Sequence, residues 1–137
     1  MYVMGVLGSV MFFVIAGFHV YWFLGGTVGT DRYIGLGRDG ERIRIPRPLI
    51  LAAALVFFVA ALLPLVALGI LDIPIPKQLV DAALIAGIFI LALRGAGGFA
   101  WSLVQPKPRD IFHTWNISLY TGICLILALS YGACLVP

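Results

Sequence analysis

The chain has 137 residues, of which 62% are hydrophobic and 11% charged, with a formal net charge of +3 and a mean hydropathy of +1.09. A soluble chain carries about 25% charged residues, so this one lacks the polar surface to face water all round. What remains is an all-α integral membrane protein: a single domain over residues 1–137, built as an antiparallel bundle of four transmembrane helices.

Four runs reach the roughly 20 apolar residues that a spanning helix needs: residues 2–24, 48–71, 79–104 and 111–135. Short connections make sequential neighbours antiparallel. The first run has no basic n-region and no small-residue cleavage site, and reads as a permanent helix. In it, Gly5, Gly8, Phe12, Ile15, His19, Trp22 and Gly26 recur at alternating steps of three and four. That is one seam along a helix, and its glycines admit a close neighbour. His19 is therefore expected on the packed face.

The loop after it, GTDRYIGLGRDGERIRIPRP, carries a hairpin turn signal at Asp39-Gly40. ERIRI alternates polar with apolar residues, so Tyr33 to Ile45 fits a short β-hairpin lying on the headgroups. Pro46 and Pro48 then open the second helix. That helix offers no polar side chain, only Pro64 as a kink, and reads as a packing wall. DIPIPK makes a stiff turn into the third helix.

Helix three repeats the seam with Val80, Leu84, Gly87, Leu91, Arg94, Gly98, Trp101 and Gln105, and helix four with His113, Asn116, Tyr120, Cys124, Leu127, Tyr131 and Cys134. Ten residues of helix span about 15 Å, too far for Cys124 and Cys134 to bridge within it; both read as small buried hydrophobes.

The connections between helices one and two and between three and four hold Arg32, Arg38, Arg42, Arg44, Arg47, Lys107 and Arg109, against Lys77 alone on the opposite side. Basic residues in short loops mark the cytoplasmic face. The expected location is a bacterial inner membrane, with arginine-rich loops cytoplasmic and both termini periplasmic. Membrane lipids are then natural partners of the basic loops. Nothing points to nucleic acid, since no recognised module is present.

Counted from the cytoplasmic helix ends, His19 and Asn116 come out at one depth and Arg94 and Tyr120 somewhat deeper, with Trp22, Trp101 and His113 nearer the surface; Cys124 and His19 come out at different depths. These positions predict a polar knot in the cytoplasmic half, and His19, Trp22, Arg94, Trp101, His113, Asn116 and Tyr120 are the candidate ligand-binding residues. Arg94 is the costly one: an arginine at the centre of a span costs about 2.5 to 3.5 kcal/mol on insertion scales. Its candidate partners are Tyr120, Asn116 and backbone carbonyls, or an anion such as a lipid phosphate.

The pattern FHVYWFLGGTVG, the pair Arg94-Gly95 with Gly98-Phe99, and FHTWNISLYTGIC over 112–124 together resemble a small bacterial four-helix membrane family, catalogued as domain of unknown function 3995. The resemblance implies a four-helix membrane fold and no established activity or catalytic residue. Family members usually carry proline between the tyrosine and the cysteine of the last motif, where this chain has Gly122.

Four functions compete. A non-catalytic accessory subunit or lipid- or small-ligand-binding module, beside a larger membrane complex or in a homo-oligomer, needs nothing the chain lacks. A redox protein would hold haem b or a chlorophyll-type pigment through His19, with His113 as a second ligand, but the two histidines differ in depth. An enzyme acting on a lipid would want a carboxylate in the cluster and has none, and two histidines alone make a poor zinc site. A transporter would need a polar path that helix two does not line.

Overall fold

The structure, a computed structural model, describes residues 2–30, 44–104, 115 and 119–136. It is an all-helical bundle: α1 spans Tyr2–Phe23, α2 Arg47–Ala67, α3 Lys77–Val104 and α4 Thr121–Leu135. The first three are long and apolar enough to cross a membrane; the described part of α4 is a shorter apolar helix. The expected hairpin at 33–45 and most of the expected first turns of helix four lie outside the described residues.

Each helix end has a local cause. Pro46 caps α2 and Pro48 follows in its first turn, where a missing N–H costs nothing. The expectation that α2 would run to Leu71 is corrected, because it ends at Ala67. Gly69 takes φ +69, and Ile70 N–H then closes back on the Leu65 carbonyl at 2.9 Å, the left-handed stop that glycine permits. α1 ends likewise at Gly25, φ +99.

The packing fixes a ring order α1–α2–α3–α4, with the closest pairs being α1 on α2 and α3 on α4. The start of α1, the end of α4 and the α2–α3 turn lie at one end, here the terminal end; the end of α1 and the start of α2 lie at the other, the arginine-loop end. The α1 seam is packed as its spacing predicted: Gly5, Gly8, Phe12 and His19 are buried, joined by Ser9 and Ala16.

Tyr131 locks the bundle. It is 1% exposed and touches all three other helices. Its ring lies 5.5 Å from that of Phe12 on α1. On α3 it fills the space where a Gly87 side chain would start. On α2 its hydroxyl donates to the Ala60 carbonyl at 2.7 Å. That carbonyl would ordinarily accept from residue 64, but Pro64 has no N–H to give. In hydrocarbon an unsatisfied carbonyl costs several kcal/mol, so the α4 tyrosine replaces the bond that the α2 proline removes.

Nearer the terminal end, the Ser130 hydroxyl donates to the Met4 carbonyl at 2.8 Å, and Tyr2 donates to the Leu68 carbonyl at 2.7 Å. Glycine makes these approaches feasible: a methyl on Gly8 would land on Ser130, and one on Gly5 would come within 2.9 Å of the Cys134 sulfur. The Ser9 hydroxyl is buried without a hydrogen-bond partner among the described residues. Polar stitching between helices is thus present at the terminal end, while much of the knot expected at the arginine-loop end falls on residues outside those described.

Candidate functional site

Register is read from Tyr131. One heptad from its contact level toward the arginine-loop end, Phe12 leads to His19, Tyr131 to Cys124, Gly87 to Arg94 and Ala60 to Ala53. Seven residues climb about 10 Å and turn back to nearly the same face. His19, Arg94 and Cys124 therefore share one level, above the Phe12–Tyr131 contact. This corrects the expectation that His19 and Cys124 differ in depth and that Arg94 lies deeper than His19. Counting from helix ends failed because the ends are not flush, whereas the tyrosine contacts fix the register directly.

His19 is 6% exposed. Its Nδ1 lies 2.8 Å from the Ile15 carbonyl, an acceptor, so Nδ1 carries the proton and Nε2 the lone pair. The ring is flanked by Trp22 at 5.1 Å, edge-on, and by Phe57 of α2 at 4.9 Å. Sequence reading placed His19 and Trp22 on one face but missed Phe57, because α2 had been taken as a featureless wall. The signal was the pair Phe57-Phe58, whose rings pack on Phe12 and Phe13 respectively. Trp22 also donates to the Val28 carbonyl at 2.9 Å, folding the chain after α1 back on itself.

Arg94 is exposed, and Gly95 is the buried residue. Seam membership at 94 is corrected accordingly. Successive residues sit about 100° apart on a helix, and the close approach of α4 selects the residue without a side chain. A Cβ on Gly95 would lie 3.5 Å from that of Cys124, and the Thr121 hydroxyl donates to the Gly95 carbonyl at 3.4 Å. Arg94 projects from the neighbouring flank and stays within electrostatic range of Cys124. Tyr120 packs 6.5 Å from Trp115, and Leu119 and Tyr120 lead into α4. His113, Asn116 and the Trp101 side chain lie outside the described residues, so the structure brings His19 together with Trp22, and Tyr120 with Trp115, but does not place the rest of the knot.

Among the described residues no three His, Cys, Asp or Glu side chains gather as a metal site. α1, α2 and α4 contain no carboxylate, and Asp81 of α3 pairs with Lys77 near the terminal end. Among the described residues, the His19 level holds Arg94 and aromatic rings.

Residues 12–131 match the model of a family described as protein of unknown function (DUF3995). The chain belongs to that family. The match runs from Phe12 to Tyr131, the pair whose contact sets the register. No curated protein and no solved structure matches the chain.

Proposed function

We propose that this chain is a non-catalytic membrane module that binds a lipid or small anionic ligand at the His19–Arg94 level, serving as an accessory subunit beside a larger membrane partner. The observation that carries this reading is a buried imidazole in an aromatic niche, level with a guanidinium. A guanidinium within a spanning helix marks a place where an anionic group from outside the chain can bind. The arginine-rich connections support placing this end at the cytoplasmic side of a bacterial inner membrane, with both termini periplasmic.

A second reading is favoured by one bond. A histidine that ligates a metal commonly donates its other ring N–H to a carbonyl, and His19 does so to Ile15. Haem b or a chlorophyll-type pigment on Nε2 would use that arrangement, and the group would supply electron-transfer or light-absorbing chemistry.

The test is ligand-linked stability of the purified full chain in mild detergent, with and without a lipid extract of its own membrane. A ligand at a hundred times its Kd stabilises by about 2.7 kcal/mol. The extract is expected to raise the Tm of the wild type and not of Arg94→Gln. An equal shift in both, or none in either, would overturn the reading. Loss of a visible absorbance band in His19→Phe would instead select the haem or pigment.

A further inference from the structure

A second seam runs along α1, on the side turned away from the bundle. Met4, Leu7, Met11, Val14, Phe18 and Tyr21 recur at alternating steps of three and four. All are exposed except Met11, which is half-buried. An apolar outward face is ordinary for a spanning helix, but this one also carries a dent. Gly17 has nothing within 4 Å of where its side chain would begin. Val14, Gly17, Phe18, Tyr21 and Val28 line an open groove there, of about 410 Å³.

The first four of these residues sit at i, i+3, i+4 and i+7, the spacing of one hole in knobs-into-holes packing. Glycine at the second position deepens the hole. A cavity of about 150 Å³ takes a benzene ring, so there is room for a phenyl group. The rim is held in place. The Val28 N–H donates to the Tyr21 hydroxyl at 3.4 Å, and the Tyr21 ring fills the space where a Gly26 side chain would start. The ring beside the hole is held too: Phe18 lies 5.8 Å from Trp22, which donates to the Val28 carbonyl. Rings fixed before association lose little freedom on pairing.

We propose that this seam pairs two copies of the chain, α1 against α1, with the Phe18 ring of each copy seated in the hole of the other. Copies of one sequence insert the same way round, so the two-fold axis stands along the bilayer normal and the paired helices run parallel. Equal positions then meet at equal heights, which brings each Phe18 level with the facing hole. Self-complementarity is what selects a second copy: hole and filler lie on the same turn of one helix, as a contact between identical surfaces requires. Val28 bounds the hole at the arginine-loop end, across the path of a lipid tail descending from the headgroups on that side. Helices already in lipid associate through such close packing, and a small residue at the crossing permits it. The pairing does not depend on the ligand-binding reading, yet the two faces of α1 touch, because Trp22 joins Phe18 to His19.

The test is Förster transfer between donor- and acceptor-labelled pools of the full chain in phosphatidylcholine vesicles, read as the protein-to-lipid ratio rises. Gly17→Leu fills the hole, and Phe18→Ala removes the ring that enters it. Gly97→Leu is the control, since Gly97 is exposed on α3 and also has nothing within 4 Å of its missing side chain. Each variant is first checked for helicity. The wild type is expected to show the transfer of a dimer, linear in the acceptor fraction. Gly17→Leu and Phe18→Ala should each raise the ratio at half-pairing at least tenfold, roughly 1.4 kcal/mol, and Gly97→Leu should leave it unchanged. Mixing Gly17→Leu with Phe18→Ala should recover part of the loss, because one copy then keeps the ring and the other the hole. No transfer in the wild type, a dimer unmoved by either substitution, an equal loss in Gly97→Leu, or no recovery on mixing would overturn the proposal. So would a single copy that retains a lipid in native mass spectrometry and loses it in Gly17→Leu, which would give the groove to a lipid tail.

Discussion

Tyr131→Phe isolates the bond between α4 and the proline in α2. The change deletes one hydroxyl and leaves the ring against Phe12 and Gly87. The Ala60 carbonyl then has neither the tyrosine donor at 2.7 Å nor an N–H from Pro64. A buried acceptor left without a donor costs about 1 to 3 kcal/mol. Pro64→Ala returns the in-helix donor, so in that background the same tyrosine change should cost only an ordinary interhelical bond, about 0.6 kcal/mol. The four proteins form a double-mutant cycle, read by unfolding in mixed micelles with increasing dodecyl sulfate and followed by circular dichroism. The expected coupling is the difference, about 0.4 to 2.4 kcal/mol, in the sense that Pro64→Ala protects against Tyr131→Phe. Identical losses in the two backgrounds would refute the substitution of one bond by the other.

Gly8→Ala should destabilise by about 1 to 3 kcal/mol through overpacking, because its methyl lands on Ser130, and Ser130→Gly should recover part of that loss in the same unfolding assay. Gly17→Ala, with nothing within 4 Å, should leave the single copy unchanged or more stable by up to about 1 kcal/mol; a loss there would show that the outward face of α1 is covered within the chain itself. Ser9→Ala removes a buried hydroxyl that has no partner among the described residues, and stability should hold or rise. His19→Phe keeps the ring contacts with Trp22 and Phe57 and should change unfolding by less than about 1 kcal/mol, while removing any group held on Nε2.

Much of the fold was legible because hydrocarbon imposes simple rules. Apolar runs of spanning length gave the helices, and the glycine seam correctly buried Gly5, Gly8, Phe12 and His19. Arg94 shows where periodicity stops being enough. A seam written at steps of three and four has a width of two residues, and only the approach of α4 decides that Gly95, not Arg94, is buried. The stitching by Ser130, Tyr2 and Tyr131 was hidden for a related reason: each donates to a backbone carbonyl on another helix, and carbonyls leave no mark in a sequence. Pro64 was the exception, since a proline inside a helix announces a carbonyl in need of a donor. The level of His19, Arg94 and Cys124 likewise needed a contact between helices to set it.

The most direct measurement is the mass of the full chain extracted from its own membrane in mild detergent. The expected spectrum shows each 14.8 kDa chain carrying the mass of a lipid or small anionic ligand, and Arg94→Gln, prepared in the same way, without it. A bare wild-type chain, or a variant that keeps the same added mass, would contradict a ligand held at Arg94.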